Sequence, residues 1–223
     1  MNRKQLDFLM ADLRRRYLPY RRHQTDTALG RITAETEDPF KVLISTILSQ
    51  RTRDEMTDKA SHQLFARYPD AKSIANASLS SISHLIKPVG FYRQKAAGIR
   101  NVSRILLSEY GGEVPRTFDE LLKLPSVGPK TANCVLVYGF GIPRIPVDTH
   151  VHRISNRLGI VKTKTPEQTE AALMKAVPEE YWIDLNGLLV RFGQSVCRPI
   201  GPKCGECNFR RFCRYYKTVV KRG

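Results

Sequence analysis

Lys130 follows Gly128 and Pro129 in "LPSVGPKTANC" (Leu124–Cys134), and an apolar run opens directly after it. The glycine-proline turn marks a helix start, so the lysine falls at the positive end of a helix, where a cation is least welcome. A lysine of ordinary pKa, about 10.4, is not a nucleophile at neutral pH. The helix end and neighbouring cations lower that pKa, which is one way to ready an amine for covalent catalysis. The alternative is a protonated lysine that binds phosphate. Asp148 lies 18 residues downstream, before "THVH". It occupies a helix N-cap position, and its carboxylate could also stabilise a developing positive charge. The turn at Val127 and Gly128 points helix-start amides outward, which suits a phosphate.

A second constellation is "CRPIGPKCGECNFRRFC". Cys197, Cys204, Cys207 and Cys213 are spaced C-x6-C-x2-C-x5-C. Four thiolates this close suit a four-coordinate site, and the spacing alone does not choose zinc over a [4Fe–4S] cluster. The clustering argues against a disulfide scaffold and for an intracellular chain. Arg198 and Lys203 lie between the first two cysteines and are candidate contacts to a phosphate backbone. Cys134, inside the apolar run, reads as a small buried hydrophobe.

The partner follows from charge. The chain has 37 Lys and Arg against 21 Asp and Glu, a formal charge of +16 over 223 residues. So one-sided an excess points to a polyanion, with nucleic acid favoured over an anionic membrane surface. "RRRYLPYRR" (Arg14–Arg22) interleaves five Arg with two Tyr, and residues 208–223 carry six Lys or Arg and no acid. No run of 18 apolar residues could span a membrane, and the first residues lack a secretory core. A cytoplasmic or nucleoid location is expected, and a monomer.

The elements that must position these groups are helical. Leu6, Leu9, Met10, Leu13 and Tyr17 form one helical face, followed by a polar basic linker to about Thr33. Asp38 and Pro39 open a helix that is apolar nearly all round and therefore central. Further helices are expected over 54–68, 71–77, 79–87 and from about 90 to 110. Thr117 with Glu120 makes a capping box, Pro129 begins a helix ending near Gly139, and others start at Asp148 and Thr165. "PEEYWIDLNGLLVRFGQ" is the last long one. In all, ten or eleven helices and no strand give an all-α fold. "IKPVGFYRQKA" and "LPSVGPKTA" look alike: each is a helix end, then Val-Gly, then a new helix.

The stretch "LPSVGPKTANCVLVYGFGIPRIPVDTHVHRISNRLG" resembles the helix-hairpin-helix DNA glycosylases of the endonuclease III family, in which L-P-x-V-G-x-K-T-A is followed by V-D-T-H. The resemblance runs from about Pro39 to Cys213. It implies that Lys130 is the catalytic lysine and Asp148 the catalytic aspartate, and that the four cysteines hold a [4Fe–4S] cluster, with zinc the weaker alternative. It implies two domains: a six-helix barrel over residues 32–142, and a cluster domain of residues 1–31 and 143–223, with DNA crossing between them. The activity implied is base-excision repair: an N-glycosylase with abasic-site lyase activity on duplex DNA with oxidised pyrimidines. A lysine at that hairpin position separates such lyases from relatives that use water.

Removing a nucleotide from the stack leaves a gap to fill. The family fills it with the Gln of L-S-x-Q-T; aligned on Thr52, "LSQRT" puts Arg51 there and Gln50 one residue earlier, so both are candidates. The family's second wedge falls on Phe91, and an acidic position lining its pocket on Asp54. His150 is expected to orient or pack and His152 to lie on the surface. Competing classes are a non-catalytic helix-hairpin-helix DNA-binding protein, an iron–sulfur electron carrier, and a glycosylase shifted to uracil or mismatched thymine.

Overall fold

A computed structural model describes residues 1–17, 27–36 and 38–220. Among them there are twelve α-helices and no strand. In chain order these are α1 (Arg3–Tyr17), α2 (Ala28–Thr36), α3 (Pro39–Ser49), α4 (Asp54–Arg67), α5 (Ala71–Asn76), α6 (Leu79–Leu85), α7 (Tyr92–Glu109), α8 (Phe118–Lys123), α9 (Pro129–Cys134), α10 (Thr149–Leu158), α11 (Pro166–Ala176) and α12 (Trp182–Ser195). The fold is all-α, as expected. The chain divides into two compact units, Thr27–Ile142 and Met1–Asp26 with Pro143–Gly223.

In the contiguous unit, α3 is central because its sequence leaves it no polar face. Asp38 accepts the Phe40 N–H at 2.8 Å as N-cap, Pro39 occupies the first turn, and Phe40 and every residue from Val42 to Leu48 are buried. It packs on α2, α4, α7 and α9. Each buried Leu or Ile there contributes roughly 1.5–3 kcal/mol. The described end of the linker expected up to Thr33 is instead helix: α2 runs from Ala28, and Thr33 and Thr36 turn their hydroxyls onto Leu29 O and Ile32 O; residues 18–26 lie outside the described residues. Its Gly and β-branched residues hide the helix from a propensity reading. The Thr117 cap is also only half a capping box. Thr117 Oγ1 accepts the Glu120 N–H at 3.3 Å, but the Glu120 carboxylate bonds that same hydroxyl at 2.6 Å rather than the backbone.

In the discontinuous unit, Leu6, Leu9, Met10 and Leu13 of α1 share a core with Leu185, Leu188, Leu189 and Phe192 of α12. Helix α12 crosses α10 at Gly193. A Cβ there would collide with His150 Nδ1, and would lie 2.9 Å from Arg153 Nη2 and 3.0 Å from Ile154 Cδ1. Gly193→Ala is expected to cost about 1–3 kcal/mol through overpacking. A melt as high as the parent's would show that α10 and α12 can separate without loss.

The basic run at Arg14 is not a free cationic patch over its described part. Arg14 pairs with buried Asp184 at 2.6 Å, and Arg15 and Arg16 each pair with buried Asp12 at 2.7 Å. These arginines neutralise acids in the core of their own unit. Residues 18–22 of that run, and 221–223 of the C-terminal basic stretch, lie outside the described residues.

Candidate DNA-repair site

The lysine hairpin belongs to the contiguous unit. It joins α8 to α9, and a single π-helical turn, Val135–Gly139, continues α9. Lys130 is half-buried in the first turn, directly after Pro129. Val127 is buried in the core and its N–H donates to Leu124 O at 3.2 Å, so it anchors the hairpin from inside. Gly128 is exposed with φ −104°, and a Cβ on it would meet nothing within 4 Å. Nothing among the described residues requires glycine there. The similar hairpin at Val89 is built the same way: Val89 is buried and its N–H donates to Ile86 O at 3.0 Å.

Among the described residues, three that are not glycine adopt left-handed backbone, namely Arg51 (φ 52°), Phe91 (φ 58°) and Ser126 (φ 64°). All three line one open hollow of about 620 Å³, with Ile47, Gln50, Gln94 and Lys95. Such conformations cost of order 1–3 kcal/mol each and gather at functional sites. The two gap-filling candidates part here. Gln50 Nε2 donates to Ser126 O at 2.8 Å and to Thr131 Oγ1 at 3.3 Å, which binds it to the lysine hairpin. Arg51 is exposed, its guanidinium 5.8 Å from the Phe91 ring centroid, and Phe91 is itself 56% exposed.

Under this hollow lies a residue that the sequence reading passed over. Lys95 is 7% exposed, and burial lowers its pKa from 10.5 to about 8. Its Nζ donates to Leu48 O at 2.7 Å, Gln50 O at 2.6 Å and Thr52 Oγ1 at 2.9 Å. The available signal was a lysine next to Ala96, Ile99, Val102 and Leu106 on the inward face of α7. Asp54 begins α4 in its first turn and is not its N-cap, which is Arg53.

Asp148 belongs to the discontinuous unit. It is half-buried and caps α10 by accepting the Val151 N–H at 2.8 Å. His150 Nδ1 lies 3.1 Å from Arg153 Nη2, in keeping with a packing or orienting role. His152, expected on the surface, is half-buried, with Nδ1 2.6 Å from Thr169 Oγ1.

The four cysteines all line one pocket of about 360 Å³ with Leu158, Phe192, Val196 and Tyr215, and none forms a disulfide. Burial, and then the other thiols, push the Cys207 thiol up to about 11. Arg157 spans the pocket rim: its guanidinium donates to Cys197 Sγ at 3.7 Å, Arg198 O at 2.6 Å and Pro199 O at 2.9 Å, and stacks 4.4 Å from the Tyr215 ring centroid. The loop it holds exposes Arg198 and Lys203 and leaves Ile200 90% exposed. Lys203 faces Glu206 at 3.5 Å, an exposed pair of little energetic weight. Among the described residues, no three His, Cys, Asp or Glu gather closely enough to hold a single metal ion.

Residues 44–179 match the model of the HhH-GPD superfamily of base excision DNA repair proteins. The chain is 56% identical to the endonuclease III of Thermotoga maritima over 82% of its own length and 86% of that protein's. It superposes on a non-covalent endonuclease III–DNA complex with TM-score 0.85, and on a trapped endonuclease III–DNA covalent intermediate with TM-score 0.84. Both are 32% identical, with 99% of each chain covered. The chain belongs to the endonuclease III family of the HhH-GPD superfamily. Among the described residues, no helix is long and apolar enough to cross a membrane.

Proposed function

We propose that the chain excises damaged, oxidised pyrimidines from duplex DNA and then cleaves the abasic strand, with Lys130 as nucleophile and Asp148 as its electrostatic partner. The observation that carries this is Lys130 in the first turn of a helix entered through an exposed glycine hairpin, within a fold shared with DNA-bound endonuclease III. The neutral amine attacks C1′ of the extruded nucleotide. The C1′–N bond breaks, its electrons leave with the base, and the proton the amine gives up passes, directly or through Asp148, to the departing base; the ring oxygen takes a proton from water as the ring opens. Ring opening yields a protonated imine between Nζ and C1′. Loss of a C2′ proton then expels the 3′ phosphate by β-elimination, and water releases the lysine. Asp148, held by the α10 cap, stabilises the cationic sugar or moves the proton.

Arg51, rather than Gln50, fills the vacated space beside Phe91, since Gln50 is committed to the lysine hairpin. Gly128, Arg198 and Lys203 contact the phosphate backbone, which fixes register without reading sequence.

Cys197, Cys204, Cys207 and Cys213 hold a [4Fe–4S] cluster. Four thiols around an apolar pocket, with a guanidinium against one sulfur, suit a cluster's size and negative charge. A zinc ion would need four sulfurs about 2.3 Å from one point. When bound, the group braces the loop that presents Arg198 and Lys203. Purified protein should be brown, with about four irons per chain. Cys207→Ser should lose the broad visible absorption and lower the melt by on the order of 10 °C. One zinc per chain in the parent would refute the cluster.

Sodium borohydride should trap the parent on a duplex containing thymine glycol. No adduct with that lesion, but one with uracil or mismatched thymine, would redirect the substrate class. No adduct with any of them would leave a DNA-binding protein without this chemistry.

A further inference from the structure

Helix α3 ends at Ser49, and its last carbonyls need partners. The amine that meets them comes from another helix. Lys95 spends all three of its donors on Leu48 O, Gln50 O and Thr52 Oγ1. Thr52 Oγ1 in turn accepts the Gly90 N–H at 3.2 Å and donates to Gln50 O at 3.2 Å. Gly90 sits so close that a Cβ on it would lie 3.1 Å from Arg51 O. One buried cation therefore ties the turn that carries Arg51 to the hairpin that carries Phe91. The left-handed backbone of both residues is what such a tie must hold in place.

We propose that Lys95 is the positioning residue of the gap-filling machinery, holding the Gln50–Thr52 turn and the Gly90–Phe91 hairpin in register so that Arg51 and Phe91 enter the duplex together. This rests on the reading of Arg51 as a wedge. Lys95 touches no reacting atom. Its three donors are occupied, and it acts through the two arms.

The test compares two substrates in single-turnover reactions of the cluster-loaded protein. One is duplex DNA with thymine glycol, where a gap must be filled. The other is single-stranded abasic DNA trapped with borohydride, where there is no gap. Lys95→Met should slow duplex excision by at least about 10-fold and leave single-strand trapping within about two-fold. Lys95→Arg should recover part of the loss. Thr52→Val removes one acceptor with little change of shape, and should give a smaller loss of the same kind even if Lys95→Met does not fold. Adding Arg51→Ala to Lys95→Met should cost less than Arg51→Ala costs alone. If Thr52→Val matches the parent on both substrates, or if trapping falls in step with excision, the positioning role is wrong. If Arg51→Ala alone leaves duplex excision unchanged, the wedge reading itself has failed.

Discussion

Lys130→Ala should abolish the borohydride adduct and slow base excision by at least about 10³-fold, the scale on which losing a covalent nucleophile is felt. Lys130 is half-buried in the first turn of α9, so truncating it opens no core cavity and the melt should hold. Binding to undamaged duplex should fall only modestly, since one cation among many is lost. Lys130→Arg restores the charge but not the reaction, because a guanidinium stays protonated. If Lys130→Ala still forms the adduct, another amine is the nucleophile and the assignment is wrong.

Asp148 carries two proposed duties that substitution can separate. Its carboxylate caps α10 through the Val151 N–H, and asparagine caps about as well as aspartate. Asp148→Asn should therefore melt close to the parent yet excise about 10²-fold more slowly, the scale of removing one preorganised electrostatic contact. Asp148→Ala should show the same slow chemistry and lose about 1 kcal/mol of stability as well. Full activity in Asp148→Asn would reduce the residue to a helix cap.

The chemistry-bearing motifs could be read from the sequence because they are local. Lys130 lies two residues after its glycine, Asp148 sits at a cap, and the cysteines fall within one short loop. What could not be read depends on distant partners. Arg14 of "RRRYLPYRR" looks like part of a surface for polyanions until Asp184, 170 residues away, is found paired with it. Gln50 and Arg51 were indistinguishable as neighbours in sequence; Ser126 and Phe91, both remote, separate them. The place of Lys95 on the apolar face of α7 is legible, but its role is not, because its acceptors lie 43 to 47 residues away. Helix α2 was missed because packing, not propensity, holds "ALGRITAET" in place.

The split of the chain also sets an order of synthesis. Residues 27–142 emerge as one block and can bury their own core before residues 143–223 are made. Helix α1 leaves the ribosome before that block, yet Leu6, Leu9, Met10 and Leu13 must wait for Leu185, Leu188, Leu189 and Phe192 to cover them. At about 5–20 residues per second that delay is on the order of ten seconds or more, during which an apolar stripe is open to chaperones. The cysteines are translated later still, so the proposed cluster would be built only after the 27–142 core is already buried, and iron shortage would be felt in the second unit alone.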